Sequence, residues 1–171
     1  MGQGCASGTA SRSPAALPSR SRSLKGQLVG IARHAAPYAE MESLSEIAIS
    51  VEAGLDGDYR GRHARRKVTV LTRAGWEEAC DLVGRAVPWI ARRANLLLDG
   101  LEPLDISSGR IRIGTVVLEI GGETRPCERM DEACPGLEVA LKPGLRAGSY
   151  CRVLSGGMVR IGDEVTVEPV R

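Results

Sequence analysis

The chain has 171 residues, a formal net charge of +2, a hydrophobic fraction of 43% and an aromatic fraction of only 3%, with no Phe. This length fits one domain with a real core, which must be built from Val, Ile, Leu and Ala. The scarcity of aromatic side chains argues against a platform that stacks nucleic-acid bases, and no apolar run reaches the length of about 20 residues that a membrane-spanning helix needs.

The first 27 residues differ in composition from the remainder. They are rich in Ser, Arg, Gly and Pro, and they contain basic residues but no acid. Subtracting their charge of +4 from the total of +2 leaves a net charge of −2 on the remaining chain, which argues against a general binder of nucleic acid. We predict that residues 1–27 are a disordered leader without the apolar centre of a secretory signal, and that residues 28–171 form one domain.

The domain is predicted to open with a short apolar strand near Leu28. Apolar residues then alternate over 47–51, a pattern typical of a strand with one buried face, and a β-branched run follows at 68–72. The charged loop between these two segments contains Gly54 and Gly57, which are expected at positive φ.

The segment "TRAGWEEACDLVGRA" predicts a helix whose N-terminus is capped by Thr72. Its apolar residues recur at helical spacing on one face, at Trp76, Ala79, Cys80 and Val83. Cys80 is therefore expected to be buried and inert, because an apolar setting disfavours the thiolate.

Three further β segments follow the helix. "RRANLLLDGLEPL" predicts a buried strand that ends in a turn at Asp99 and Gly100, whereas "RIRIGTVVLEI" from Arg110 and "MVRIGDEVTVEPV" from Met158 predict two similar hairpins. A glycine inside each hairpin is expected at a bend or bulge of a curling sheet. Six or more short strands with one or two short helices predict a mostly β fold, and closing it into a twisted barrel would remove its exposed edges.

Cys127 is the candidate reactive residue. It follows Pro126, where the chain is expected to leave the sheet, and lies between Arg125 and Arg129. A thiolate is the competent nucleophile and metal ligand, and nearby cations favour that form. In an extended segment these three residues point to the same side, so we predict that they line one wall of a cavity. The alternative is a loop cysteine beside two solvated arginines.

Arg93 and Asn95 are a second candidate pair. Two residues apart in "RRAN", they can face one side of a strand and present a guanidinium fork with an amide. Such a pair suits a phosphate or a ring with donor and acceptor edges, and Arg66 or Lys67 can add further donors.

Six segments in this order resemble the MOSC domain: "GLDGD", "VTVLT", "RRANLLLDGL", "IRIGTVVLEI", "RPCERM" and "GSYCRVLSGGMVRIGDEV". The MOSC domain is the C-terminal domain of molybdenum-cofactor sulfurases, and it also occurs in free-standing bacterial proteins and in reductases of amidoximes and N-hydroxylaminopurines. The resemblance covers about residues 28–168 through the order and spacing of the motifs. It implies a twisted β-barrel with a pocket that holds one cysteine.

The resemblance also implies roles for individual residues. Cys127 matches the cysteine that ligates molybdenum of the pterin cofactor in the oxidoreductases of the family, and Arg93 and Asn95 match the Arg-x-Asn pair that contacts this cofactor. The remaining positions that match the family or flank its cysteine are Gly57, Asp58, Arg125, Arg129, Arg152 and Gly157.

We therefore expect a cytoplasmic protein that binds molybdenum cofactor or carries sulfur through Cys127. Its activity would be sulfur transfer or cofactor-dependent reduction of N-hydroxylated compounds, and the residues do not decide between them. A partner would supply sulfur or electrons, because the chain shows neither a pyridoxal-phosphate-binding domain nor a cysteine-rich cluster motif. The alternatives are a non-enzymatic adaptor barrel and a thiol redox sensor that pairs Cys127 with Cys134.

The chain contains five cysteines, an odd number without a CxxC pair: Cys5, Cys80, Cys127, Cys134 and Cys151. This usage predicts free thiols in a reducing compartment. Cys134 and His63 fit no common zinc spacing, so Cys134 is expected to be a loop thiol, while Cys151 is expected to pack in an apolar strand. His34 and His63 are expected at surface or core positions without catalytic partners.

Overall fold

A computed structural model describes residues 23–170. Most of the predicted leader therefore lies outside the described residues. The first strand begins at Leu24, four residues before the predicted start at Leu28. No helix of the described part is long and apolar enough to cross a membrane.

Residues 23–170 form eleven strands and three α-helices. The strands are β1 (Leu24–Arg33), β2 (Glu42–Leu44), β3 (Glu46–Ser50), β4 (Gly54–Leu55), β5 (Val68–Thr72), β6 (Leu96–Asp99), β7 (Arg110–Ile113), β8 (Val116–Glu123), β9 (Ser149–Ser155), β10 (Gly157–Arg160) and β11 (Glu164–Glu168). The helices are α1 (Arg73–Val83), α2 (Arg129–Ala133) and α3 (Leu137–Leu141).

Seven of these strands close a mixed β-barrel. Their order is β11-β7-β8-β9-β5-β6-β1, and an antiparallel pairing of β1 with β11 completes the ring. The sheet continues from β1 to β2, while β10, β3 and β4 form a separate three-stranded sheet. The predicted closed, mostly β fold is confirmed, with α2 and α3 in addition to the helix expected after Thr72.

The barrel is filled by aliphatic side chains, as the composition requires. Alternate residues of each strand point inward, so β7 and β11 contribute Ile111, Ile113, Val165 and Val167, all fully buried. A second buried cluster lies between β5, β6 and the three helices, and it contains Leu71, Leu97, Trp76, Met130, Leu137 and Leu141. This second core anchors the helices to the barrel wall.

Helix α1 connects β5 to β6, the one parallel pair among the described strands. Parallel neighbours need a crossover, which α1 supplies. The side chain of Thr72 accepts a hydrogen bond from the Gly75 backbone nitrogen at 3.3 Å, and the helix ends at Gly84 with φ of 68°. The predicted cap is thus confirmed, as is the buried face that contains Trp76, Ala79 and Cys80.

The two predicted hairpins differ in the structure. β7 and β8 pair with each other across a turn at Gly114, so the first hairpin is confirmed. The segment from Met158 is not a hairpin, because β10 pairs with β3 whereas β11 pairs with β7 and β1. Gly162, at φ of 99°, turns the chain from one sheet into the other.

Candidate functional site

A cleft with two adjoining lobes opens beside the N-terminal ends of β5 and β6. The arginine lobe has a volume of about 340 Å³ and is lined by Arg60, His63, Arg66, Thr69, Arg92, Arg93, Ala94, Thr124, Arg125 and Ala147. The cysteine lobe has a volume of about 280 Å³ and is lined by His34, Pro37, Tyr59, Arg60, His63, Arg92, Arg93, Cys127, Arg129 and Met130. The lobes share four lining residues and therefore adjoin: Arg60, His63, Arg92 and Arg93.

Cys127 is the exposed member of the four described cysteines. It lies in the segment between β8 and α2, and its carbonyl oxygen accepts a hydrogen bond from the Met130 backbone nitrogen at 2.9 Å. This bond anchors the cysteine segment to the start of α2. The sulfur that the sequence singled out is therefore accessible and lies in a cleft.

The other described cysteines are buried. Cys80 and Cys151 lie in apolar cores as predicted, and burial raises the pKa of both thiols. Cys134 is not a loop thiol, because it lies at the end of α2 and is packed in the second core with 3% of its surface exposed. Burial of Cys134 in this core shields its sulfur from solvent and argues against the pairing with Cys127.

Arg93 and Asn95 do not face the same side. Arg93 has a left-handed backbone with φ of 61° at the end of a short 3-10 helix (Trp89–Arg92), which breaks the alternation that the prediction assumed. Its side chain lines both lobes of the cleft. A positive φ costs a residue with a Cβ on the order of 1 kcal/mol, and such strain is concentrated at functional sites.

Asn95 is a structural residue in this protein. Its side chain is fully buried, where Oδ1 accepts from the Thr69 backbone nitrogen at 3.0 Å and Nδ2 donates to the Ala32 carbonyl at 3.1 Å. The amide thus joins β5 to β1 beneath the cleft. Oδ1 and one N–H of Nδ2 are used inside the barrel, so the fully buried amide does not lie on one face with the Arg93 guanidinium.

Arg92 is the central cation of the cleft. Its Nε donates to the Ala147 carbonyl at 2.9 Å and its Nη2 to the Thr124 carbonyl at 3.2 Å, so the guanidinium is fixed between the loops that precede β9 and follow β8. Burial, and to a smaller extent the charge of Arg60, lower the pKa of Arg92 to about 10, while the neighbouring Cys127 acts in the opposite direction. Arg92 therefore remains charged at neutral pH and lies close enough to Cys127 for electrostatic interaction.

Asp58 organises the side of the cleft opposite to Arg92. Its buried carboxylate accepts hydrogen bonds from the backbone nitrogens of His34 at 2.9 Å and Arg60 at 3.1 Å, and it lies 3.1 Å from His34 Nδ1. Gly57, at φ of 70°, makes the turn that leads into this position, as predicted. Asp58 therefore holds the segment that presents Arg60 rather than contacting the cleft itself.

Arg60 brings a second buried guanidinium to both lobes. Its Nη1 atom is buried without a hydrogen-bond partner among the described residues. Burial lowers the pKa of Arg60, while the charge of Asp58 raises it and that of Arg93 lowers it. An unpartnered buried N–H group is costly, and an anion in the cleft would satisfy it.

The predicted cations fall into three groups. Arg125 lines the arginine lobe and Arg129 lines the cysteine lobe, so they flank Cys127 in different lobes rather than along one wall. Arg129 also stacks over the exposed ring of Tyr38 at 5.2 Å. Arg152 lines neither lobe, because its Nε bonds to Glu119 on the exposed surface of the β8–β9 pair.

Of the two basic residues before β5 that the sequence suggested as further donors, one lines the cleft and the other does not. Arg66 lines the arginine lobe and stacks over Tyr150 at 4.5 Å. Lys67 instead donates to the carbonyl oxygens of Val51 and Glu52 and lines neither lobe. The additional donor that the sequence suggested at these two positions is therefore Arg66.

The charged side chains that line the cleft are basic. Within the described part of the chain, neither lobe is lined by an Asp or a Glu, whereas six arginines line the two lobes together. No group of three or more His, Cys, Asp and Glu side chains comes together there as a metal site. The cleft thus suits an anion, and a metal ion in it would take most of its ligands from that anion.

The sequence profile of the MOSC domain matches residues 56–166. The chain belongs to the MOSC domain family. The matched range contains every residue that lines the two lobes except His34 and Pro37, so the cleft is largely a feature of the MOSC domain. The search of curated proteins finds no match.

Solved structures support the same fold for this MOSC domain. The YuaD protein from Bacillus subtilis is similar with a TM-score of 0.73 and 19% identity, covering 88% of this chain and 99% of that chain. YiiM from Escherichia coli has a TM-score of 0.61 and 17% identity, with 84% of this chain and 71% of that chain covered. YiiM from Geobacillus stearothermophilus has a TM-score of 0.59 and 20% identity over 84% of this chain and 73% of that chain.

Sequence reasoning missed two central residues of this MOSC domain, Arg60 and Arg92. The signal for Arg92 was its place directly before Arg93, and the signal for Arg60 was its place two residues after Asp58. Neither signal indicates burial, because two arginines in a row and a charged loop are usual on protein surfaces. The convergence of these guanidiniums is visible only in the structure, where the segments before β5, before β6 and after β8 meet at the cleft.

Proposed function

We propose that this MOSC domain binds molybdenum cofactor in the two-lobed cleft, with Cys127 as its sulfur ligand or as a carrier of sulfur. The observation that carries the proposal is an exposed thiol in a cleft that six arginines and no carboxylate of the described residues line. A phosphorylated pterin with a thiophilic metal needs this combination of groups.

The donor set fits such a ligand. A thiolate is a soft ligand suited to a thiophilic metal, and the same sulfur can carry a second sulfur atom as a persulfide. Guanidinium groups bind phosphate oxygens through paired N–H donors. The unpartnered Nη1 of Arg60 is a donor that lacks its acceptor among the described residues, which is what a site for an anion requires.

The arginines, Asp58 and Cys127 would have different roles in binding the cofactor. Arg92, fixed by two carbonyl oxygens, provides a charge that does not need to reorganise when the ligand arrives. Arg93 adds a second guanidinium, whose Nη2 donates to the Pro37 carbonyl at 3.3 Å. Asp58 accepts a hydrogen bond from the Arg60 backbone nitrogen and so holds the segment that carries Arg60. The bound cofactor would supply two-electron redox chemistry, and Cys127 would place one ligand atom at the metal.

Two activities are compatible with this arrangement. In one, the protein reduces N-hydroxylated compounds such as amidoximes or hydroxylamino bases and receives electrons from a partner protein. In the other, Cys127 accepts sulfur from a donor protein and passes it to the cofactor. Both require the same exposed sulfur and the same cationic surroundings, so the first experiment tests the binding that they share.

The test is metal, pterin and sulfane-sulfur analysis of protein purified from a molybdenum-replete host. We expect molybdenum and pterin, or cyanide-labile sulfur, in the wild type and in Cys80→Ala, and neither in Cys127→Ala. Cys80 is a matched control because it is a buried thiol outside the cleft. Equal retention by both variants would remove the assignment to Cys127, and absence of all three species from the wild type would favour the adaptor alternative.

A further inference from the structure

We propose that an apolar groove beside the cysteine lobe is a substrate subsite, which holds the planar body of a compound whose reacting group lies at Cys127. The chemical class is a neutral or cationic N-hydroxylated compound that carries an aromatic ring. The inference rests on the proposed function for the place of the reacting group, but the groove itself depends only on the residues that form it.

This outer groove lies between the loop after β1, the 3-10 helix Trp89–Arg92 and α2. Apolar residues form most of its lining: Met41, Pro88, Ile90, Ala91, Met130 and Ala133. The outer groove adjoins the cysteine lobe, because Arg93, Arg129 and Met130 line both. A molecule bound in it therefore lies next to the lobe that contains Cys127.

The charges of the outer groove differ from those of the two lobes. Glu40 and Glu132 line the groove together with Arg93 and Arg129, so two carboxylates balance two guanidiniums. The lobes are lined by six arginines and by no carboxylate of residues 23–170. An anionic cofactor is therefore favoured in the lobes, whereas a neutral or cationic molecule is favoured in the groove.

Tyr38 places an aromatic ring at the lip of the outer groove. Its side chain is 83% exposed, and the Arg129 guanidinium lies 5.2 Å from the centre of its ring. The carbonyl of the preceding residue, Pro37, accepts a hydrogen bond from Arg93 Nη2 at 3.3 Å, which ties this loop to the cleft. Aromatic rings stack favourably on tyrosine rings and on the planar face of a guanidinium. A planar ring is therefore the body that this lip fits.

The outer groove is suited to select among substrates. Met41 and Met130 line it, and methionine side chains adapt to ligands of different shapes. The loop that carries Tyr38, Glu40 and Met41 precedes residues 56–166, which the profile of the MOSC domain matches. The preference for an aromatic body thus depends partly on residues outside the matched range, while the chemistry would depend on Cys127.

The test measures the binding of benzamidoxime and acetamidoxime by ligand-observed NMR, with protein purified from a molybdenum-replete host. Both probes carry the N-hydroxylated group, but only benzamidoxime has an aromatic ring. We expect benzamidoxime to bind about fivefold more tightly, because burial and stacking of the ring add to its affinity. Tyr38→Ala should weaken benzamidoxime about threefold and leave acetamidoxime unchanged.

Leu104→Ala is the matched control. Leu104 is another exposed apolar side chain, and it lines neither the outer groove nor the two lobes. Its variant should bind both probes like the wild type. Because Tyr38 and Leu104 are both exposed, neither change removes a core contact, and urea unfolding checks that both variants are folded.

Backbone amide shifts of isotope-labelled protein locate the bound ring. With benzamidoxime we expect shifts at residues 38–41 and 129–133, in the wild type and in Cys127→Ala alike. Three results would overturn the proposal: equal affinity for the two probes, shifts confined to the arginine lobe, or a loss in Leu104→Ala as large as in Tyr38→Ala.

The outer groove and the proposed function fail separately. A protein that binds benzamidoxime in the groove but holds neither molybdenum nor persulfide refutes the proposed function and leaves the groove standing as a site for aromatic compounds. A molybdenum-loaded protein that binds both probes equally keeps the proposed function and refutes the substrate subsite.

Discussion

The side-chain amide of Asn95 is locked onto Thr69, with its Oδ1 3.0 Å from the Thr69 backbone nitrogen and 3.1 Å from the Thr69 hydroxyl. The Thr69 hydroxyl in turn accepts from the Asn95 backbone nitrogen at 3.0 Å. Both residues are buried directly under the arginine lobe, which Thr69 lines. This reciprocal pair joins β5 to the segment before β6, which carries the cleft residues Arg92 and Arg93.

Asn95→Ala is expected to destabilise the protein rather than remove a ligand contact. The change leaves the Thr69 backbone nitrogen and the Ala32 carbonyl without their buried partner, which costs about 2 to 4 kcal/mol. Urea unfolding followed by circular dichroism measures this loss. The comparison is Arg125→Ala, which should unfold like the wild type. An Asn95→Ala protein of normal stability that no longer binds anions would show that Asn95 contacts the ligand.

Cys127 is expected to be the one described cysteine that reacts with iodoacetamide under native conditions. Cys80, Cys134 and Cys151 are buried, and Cys151 is fully so. Because Cys5 lies outside the described residues, the experiment uses a Cys5→Ser background. Mass spectrometry should find one adduct in that protein and none after the additional change Cys127→Ala.

Labelling of Cys134 before unfolding would contradict the packing of α2. It would also revive the thiol redox sensor, which needs Cys127 and Cys134 to meet. A second test is to treat the native protein with mild peroxide and look for a disulfide between Cys127 and Cys134. The structure predicts that both sulfurs remain without a disulfide between them, since Cys134 is packed in the second core.

His34 makes the stability of the protein depend on pH. Burial lowers its pKa first, and the charges of Arg60 and Arg93 lower it further, against the opposing effect of Asp58. The unfolded chain binds this proton near pH 6.5, whereas the folded protein binds it only at lower pH. Between those two values the unfolded state holds more protons, so stability falls as the pH decreases below about 6.5.

The measurement is the Tm at pH 7.5 and pH 5.5 for the wild type and His34→Gln. We expect a smaller drop in the variant, because glutamine does not titrate. His63→Gln provides the control, since His63 is exposed and its variant should follow the wild type. Equal drops in the wild type and His34→Gln would mean that other groups cause the pH dependence.

Gly148→Ala is expected to destabilise the barrel strongly. Gly148 has φ of 86°, and a Cβ at this position would lie 2.2 Å from the Val70 carbonyl oxygen. The backbone must move, and the neighbouring Ala147 carbonyl that holds Arg92 moves with it. We expect a loss of at least about 2 kcal/mol, since the left-handed strain alone costs about 1 to 2 kcal/mol.

Gly84→Ala separates the cost of left-handed strain from the cost of the clash between the added Cβ and a neighbouring backbone. Gly84 has nearly the same left-handed conformation, with φ of 68°, but no atom lies within 4 Å of its added Cβ. It should therefore show only the strain, about 1 kcal/mol. Thermal unfolding of the two variants measures the difference, and equal losses would contradict the close approach of Gly148 to β5.

Local sequence patterns predicted those features whose causes are local. Helix α1 and its cap follow from apolar spacing and from a threonine at the correct position, so they needed no knowledge of the rest of the chain. Burial of Cys80 follows from the same periodicity. Positive φ at Gly54 and Gly57 follows from the freedom of glycine in a charged turn.

The candidate site was only partly accessible from sequence. The exposed Cys127 was found because its neighbours in the chain, Pro126 and the two arginines, signal a cationic loop. Arg152 matches a motif of the family but lies outside both lobes, because a strand residue can point away from a cleft that its neighbours in the chain line. The sequence predicts that Arg93 and Asn95 share one face, and the structure differs because the left-handed backbone of Arg93 leaves no sequence pattern.

By itself, the sequence determined the family, the aliphatic barrel, the capped helix and which cysteine to examine, since these depend on composition, spacing and neighbouring residues. Only the tertiary structure decided that Arg60 and Arg92 meet in the cleft with that sulfur, and that Asn95 serves the barrel wall. The physical reason is that these relationships depend on the pairing of strands far apart in the chain. Charges carried by separate loops converge only after those strands have closed the barrel.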